Sequence, residues 1–325
     1  MLEELDFKDI YLSSNQAWLS GVPGTKDPVV APVAASEELA ELRALCGKRG
    51  QTTKNDEFAV RSNGISYRVS YLKSVNEDIF VLRRMPASIP TPEELSIHPS
   101  YVEMLVRKEL SGLVVFAGTF GQGKTTSVSA VVVERLKRHG GVAMTIEDPP
   151  EMPLEGTHGE GVCFQTWEEH GDFGEACRKM LRRSPSIIFI GEVRDPETAA
   201  EALRASANGR LVVCTVHGES VPMAVERLYS LANSAIGNPD DTSSMLANGL
   251  AAVMHQRLEG TPRKPKLEFL WLADPDSHGV RTTLRQRKWE QIANEVQMQR
   301  NRLFVQRRPA SATASDTDAR IALRG

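Results

Sequence analysis

Cysteine is scarce in this chain, and what there is forms no pattern. Four cysteines, Cys46, Cys163, Cys177 and Cys214, lie far apart in 325 residues with no C-x-x-C pair, which argues against a zinc site or a disulfide framework and for reduced thiols. Long apolar runs are also missing. No stretch approaches the roughly 18 apolar residues that a bilayer span requires. The start, Met1-Leu-Glu-Glu-Leu-Asp6, is acidic and lacks the apolar segment of a signal peptide. A large charge imbalance is absent too: 39 basic against 42 acidic side chains leave a formal charge of −3, and nothing in it calls for a polyanionic partner. No internal repeat is visible. The expectation is a cytoplasmic globular protein with ordinary hydrophobic content (41%) and at most peripheral contact with a membrane.

What the chain does have is a phosphate-binding loop. Gly118-Thr119-Phe120-Gly121-Gln122-Gly123-Lys124-Thr125 is a complete G-x-x-x-x-G-K-[ST] motif. Such a loop works where a parallel strand ends and a helix begins, because the helix N-terminal amides then face the phosphates. Both flanks are present. The apolar run Leu113–Ala117 precedes the loop, and Val128, Val132 and Leu136 mark one face of a helix from Lys124 to about His139, stopped by Gly140-Gly141. A nucleoside triphosphate is the expected ligand, with Gly118 to Thr126 around its phosphates.

The surrounding pattern is of two kinds. Residues 1–85 carry short strand-like pieces at Ile10–Leu12, Phe58–Val60, Ser66–Leu72 and Ile79–Leu82, and a helix over Glu37–Leu45 after Ser36, a small α+β domain. A linker with Pro86, Pro90 and Pro92 is expected over residues 86–97. Residues 98–307 then alternate strand and helix, which predicts a mainly parallel sheet flanked by helices. Its strands are Leu113–Ala117, Val142–Ile146, Ile187–Ile190 and Leu211–Thr215; Asp195-Pro196 starts one helix and Gly209 closes it. Residues 308–325 read as a disordered tail.

Ligands of parallel sheets collect at the carboxyl ends of the strands, and here those ends carry chemistry. Glu147, Asp148 and Glu151 follow the second strand, Glu192, Arg194 and Asp195 the third, and His217 the fourth. Lys124 and the loop amides suit the β- and γ-phosphates, and the Thr125 hydroxyl suits Mg²⁺. One carboxylate must act on the attacking water and another must serve the magnesium side. Gly191 stands where an Asp-Glu pair usually ends such a strand, so the second carboxylate must come from Glu147 or Asp148. Glu192 is the expected catalytic carboxylate, with Glu147 beside it, Asp148 toward the metal, Arg194 toward the nucleotide, and His217 as a sensor of the γ-phosphate. Asp195 alone fits a helix cap.

In this order and spacing the motifs resemble the PilT-like traffic ATPases of type II secretion, type IV secretion and type IV pili. Thr145-Ile-Glu-Asp-Pro-Pro-Glu151 is similar to the Asp box, Ile187–Asp195 to the glycine-bearing Walker B, Gly209–His217 to the His box, and Met245–Gln256 to the helix that follows in the family. The resemblance implies a RecA-like ATPase domain behind a PAS-like N-terminal domain. It also implies a homohexamer and docking on inner-membrane secretion or pilus platform proteins. From it, N-domain arginines are expected to reach the nucleotide, and Arg68 and Arg83 occupy matching strands. The tetracysteine insert of many relatives is absent, Thr119 and Phe120 replace the usual Pro and Thr, and Pro149-Pro-Glu-Met-Pro-Leu154 looks most like Dot/Icm-type and conjugative-plasmid type IV ATPases.

Two other functions compete with a secretion motor. A nucleic-acid motor would use the basic stretch Arg281 to Arg308, but only two aromatics, Trp289 and Phe304, stand among those charges, and nucleic acid is not expected as the direct substrate. The third possibility is a nucleotide switch without turnover.

Overall fold

The protein is described here by a computed structural model covering residues 1–52, 56–168, 171–261 and 263–305. The expected tail, and Arg307 and Arg308 of the basic stretch, lie outside the described residues. The N-terminal part contains β1 (Asp9–Leu12), β2 (Ala17–Ser20), β3 (Val29–Val30), α1 (Ser36–Thr52), β4 (Glu57–Ser62), β5 (Ile65–Lys73) and β6 (Asp78–Arg84). They form an antiparallel sheet in the order β3-β2-β1-β6-β5-β4. Helix α1 runs further than Leu45 because Cys46 is still a core residue, packed with Leu39 and Leu42 against Ile10, Phe58, Val69 and Leu82. The short strands β2 and β3 escape sequence reading, since pieces of two to four residues carry no usable alternation.

Residues 85–98 contain no helix or strand. They are not a free tether, however: Ile97 is buried, and Ile89 and Leu95 pack on the core of the following part.

That part contains α2 (Pro99–Leu105), β7 (Gly112–Gly118), α3 (Lys124–His139), β8 (Gly141–Ile146), β9 (Gly156–His158), β10 (Gly161–Phe164), α4 (Phe173–Arg182), β11 (Ile187–Ile190), α5 (Pro196–Ala207), β12 (Leu211–His217), α6 (Val221–Ile236), α7 (Pro239–Gly249), β13 (Leu250–Glu259), β14 (Lys264–Trp271), α8 (His278–Arg285) and α9 (Ile292–Val305). The sheet order is β14-β13-β7-β12-β11-β8-β10-β9. Only the edge strands β9 and β14 pair antiparallel. Each face of the sheet is covered: α4 to α8 pack on one side around Leu203 and Leu228, and α2 and α3 on the other around Phe116 and Phe189. Strands buried on both faces need continuous apolar runs, and Leu113–Ala117 and Ile187–Ile190 supply them.

One expectation fails here. Met245–Gln256 is not a single helix. Helix α7 ends at Gly249 and the remainder is β13, parallel to β7. A short buried apolar run does not distinguish strand from helix by periodicity. The tertiary reason is pairing, since Ala252 to His255 add to β7 in register with Val114 to Ala117, and Gly249 lets the chain pass close to Ser206, where a Cβ would stand 2.5 Å from Oγ. The basic stretch is also less free than its composition suggests. Arg281 donates to the carbonyls of Ala247 and Leu272, Arg285 to Asn248 Oδ1, and Arg287 pairs with Asp240.

Candidate functional site

The carboxyl ends of β7, β8, β11 and β12 meet the end of β6 at a cleft of about 440 Å³. Each strand brings its residue by register. His217 pairs with Gly118 across β12 and β7, and Ile190 with Ile146 across β11 and β8, so the residues that follow these pairs emerge side by side. Gly121 to Thr126, Glu147, Asp148, Glu151, Glu192, Arg194 and His217 line the cleft together with Arg68 and Arg83. Of the expected site residues, Gly118 and Thr119 do not line it. Gly118 sits in the strand end, and its carbonyl accepts from Gly218 N at 3.4 Å.

The phosphate loop is shaped by its glycines and by a lysine folded over it. Gly121 and Gly123 have φ of +68° and +76°, the left-handed region that glycine adopts without strain. Lys124 Nζ donates to Thr119 O at 3.0 Å. Burial pulls the Lys124 ammonium below the usual lysine value, while Glu192 and Glu151 act in the opposite sense. A lysine that is partly desolvated and donates to a carbonyl is placed to gain from an incoming polyphosphate. Phe120, at the loop tip, is 88% exposed.

The carboxylates differ in setting. Glu147 is 2% exposed and accepts from Gln165 Nε2 at 2.9 Å. Burial pushes its carboxyl up to about 7, against hydrogen bonds from Gln165, Thr145 and the Glu151 amide. Asp148 Oδ1 accepts from Trp167 Nε1 at 3.1 Å, and the Trp167 ring packs on the N-terminal core. Glu192 pairs with Arg194 at 2.7 Å and is the more open of the two glutamates. Asp195 caps α5, accepting from Thr198 N at 2.8 Å. Gly191 has a spatial reason: a Cβ there would lie 3.1 Å from Glu147 Cγ. The place of the usual aspartate is filled from the neighbouring strand.

The two N-terminal arginines face each other across β5 and β6. Arg83 is held by Asp9 through Nε at 2.8 Å and Nη2 at 3.2 Å, and Arg68 by Glu57 at 2.9 Å. Like charges on directly opposed positions cost stability unless something compensates. Here carboxylates partner both, at the rim of a cleft whose floor is the phosphate loop.

Two glutamines belong to the site and were not singled out in the sequence. Gln165 bridges Glu147 and Met152 O, and Gln256 lies beneath the loop. The sequence gives no clear signal for Gln256, which stands between His255 and Arg257 after the apolar run Leu250–Met254.

Residues 48–303 match the family described as type II/IV secretion system protein. The chain belongs to this family. Among its relatives, the type IV pilus ATPase PilU of Pseudomonas aeruginosa is 30% identical over 278 residues, covering 81% of this chain and 69% of PilU. The pilus retraction ATPase PilT of the same organism is 34% identical over 62% of this chain and 58% of PilT. A crystal structure of the retraction motor PilT with bound ADP superposes with a TM-score of 0.73 at 26% identity, covering 91% of this chain and 87% of that one. The Legionella pneumophila ATPase DotB has the same fold, with a TM-score of 0.71 at 20% identity over 94% and 89% of the two chains. The PilT-like resemblance and the α/β fold expected from the motifs are thus borne out, and the chain is an ATPase of this family.

Magnesium with a nucleotide takes one or two protein ligands, the rest being phosphate oxygens and water. Among the described residues no group of three or more His, Cys, Asp or Glu could form an all-protein cage. The Thr125 hydroxyl and the Asp148 carboxylate, both lining the cleft, are a donor set of the sparse kind that magnesium needs.

Proposed function

We propose that this chain works as a ring of six copies. It would convert ATP hydrolysis into movement of a secretion, conjugation or pilus machine at the cytoplasmic face of the inner membrane. The observation that carries this reading is the convergence of a phosphate loop, two separated carboxylates, a strand-end histidine and two N-terminal arginines on one cleft. Lys124 and the loop amides hold the β- and γ-phosphates. Glu192 orients and deprotonates the attacking water. Asp148 and Thr125 hold Mg²⁺, which would supply charge neutralisation on the phosphates. Glu147 supports them from its buried position, and His217 reads the γ-phosphate. Arg194, Arg68 and Arg83 complete the surround, so closure between residues 1–85 and 98–307, across the 86–97 segment, follows nucleotide occupancy. The platform proteins of the machine are the proposed mechanical partners. No helix among the described residues is long and apolar enough to cross a membrane.

Steady-state ATP hydrolysis by wild type and Glu192→Gln, with ADP binding measured alongside, tests this reading. Removing a general base lowers turnover about 10²–10⁴-fold, and ADP affinity is expected to survive. An unchanged rate would refute the role of Glu192. Single-stranded DNA at low salt is expected to leave hydrolysis unaltered, because Arg281, Arg285 and Arg287 already have partners within the fold. Strong stimulation would turn the assignment toward a nucleic-acid motor.

A further inference from the structure

We propose that Gln122 and Gln256 form a reciprocal clamp that sets the shape of the phosphate loop before nucleotide arrives, with Gln256 as its positioning residue. The inference rests on the nucleotide reading of the cleft and extends it to a strand whose sequence carries no nucleotide motif.

A phosphate loop binds mainly through backbone N–H groups, so its affinity depends on the direction in which each peptide plane points. In this chain the loop rests on β13. A Cβ on Gly118 would stand 2.5 Å from Gln256 O, and one on Gly123 would stand 3.1 Å from Gln256 Nε2. A side chain at either glycine would run into β13, so the loop lies close against that strand.

The Gln256 side chain is fixed at both ends of its amide. Ser127 Oγ, in the first turn of α3, donates to Gln256 Oε1 at 2.7 Å, and Gln256 Nε2 donates to Gln122 O at 2.6 Å. The Gln122 carbonyl can only accept, so Nε2 must face it, and the Ser127 hydroxyl then donates to the opposite Oε1 and holds the amide against that carbonyl. Gln122 answers in kind: its Oε1 accepts from the Leu258 amide at 2.7 Å. Gln256 is 2% exposed, so this geometry is not shared with solvent.

The consequence follows from the rigid trans peptide. The C=O of Gln122 and the N–H of Gly123 lie in one plane and point opposite ways. A carbonyl drawn down onto β13 turns the Gly123 N–H away from β13, toward the cleft that Gly121, Gln122 and Gly123 line. Without the clamp, the same peptide is free to rotate and the cost of ordering it falls on nucleotide binding.

The test compares wild type, Gln256→Leu and Gln122→Ala. ADP affinity is read by calorimetry, KM and kcat by ATP hydrolysis, and folding by thermal unfolding without ligand. In Gln256→Leu both the ADP Kd and the KM for ATP are expected to rise about tenfold with kcat within about threefold, the size expected for a lost pair of hydrogen bonds. Gln122→Ala keeps its backbone carbonyl and is expected to weaken ADP about threefold. A folded Gln256→Leu with wild-type Kd and KM overturns the proposal. A fall in kcat alone also overturns it, because that is the mark of a smaller active fraction and not of a misshapen loop. Should Gln256→Leu fail to fold, Gln122→Ala decides, and wild-type ADP affinity in it overturns the clamp. Failure of the wild type itself to bind ADP would refute the nucleotide reading, and is distinguishable from all of these.

Discussion

Gly191 can be replaced to test why this family-type strand ends in Gly-Glu here and not Asp-Glu. Its φ is not in the left-handed region, so the backbone does not demand glycine. Space does. A Cβ would lie 3.1 Å from Glu147 Cγ and 3.4 Å from both Glu147 Cα and Ile146 O. The residue cannot swing away, because its N–H donates to Ile146 O at 2.8 Å and its carbonyl accepts from Thr215 Oγ1 at 2.6 Å. Alanine therefore overpacks a fixed site, at a cost of about 1–2 kcal/mol. Aspartate adds a second carboxylate beside one whose own ionisation burial already opposes, which brings the cost to about 3–5 kcal/mol. At about 2–4 °C per kcal/mol, alanine lowers Tm by about 2–8 °C and aspartate by roughly 6 °C or more. Thermal unfolding followed by circular dichroism reads both. Gly191→Asp in a Glu147→Gln background separates charge from bulk, since glutamine keeps the volume and removes the repulsion. A Gly191→Asp protein melting within about 2 °C of wild type would refute the argument that Glu147 occupies the missing aspartate's place.

Two further outcomes are expected. Trp167→Phe keeps a ring against the N-terminal core but removes the N–H that Asp148 Oδ1 accepts at 3.1 Å. Turnover should fall about tenfold with Tm nearly unchanged, as for a lost hydrogen bond to a charged group, and full activity would show that Asp148 does not need its partner. The four cysteines are buried, with burial pushing the thiols of Cys46, Cys163 and Cys177 up to about 12 and that of Cys214 higher still. A thiol reagent at pH 8 should find none of them in the native protein and all four in guanidinium; rapid labelling of the folded chain would contradict the packing around them.

Much of this protein was legible in its residues because the relevant interactions are local. The phosphate loop, helix α3 over Lys124–His139 and the cap of α5 by Asp195 each depend on neighbours within a few positions, so their signals stand in consecutive residues. Strand β11 has the predicted bounds of Ile187–Ile190, since a fully buried parallel strand must be apolar throughout. The strand ends carried Glu147, Asp148, Glu192 and His217 toward one site and the resemblance added Arg68 and Arg83, and the cleft brings those residues together.

Long-range contact decided the rest. That Leu250–Glu259 is a strand follows from its place beside β7, and the same residues would have satisfied a helix by composition. The burial of Glu147, the need for glycine at 191, the hold of Trp167 on Asp148 and the seat of the phosphate loop on Gln256 all join residues far apart in sequence. The sequence by itself determined which polar groups stand at the strand ends and which strands carry them. Only the tertiary structure decided how each group is held, because desolvation and close approach arise between segments that are neighbours in space alone.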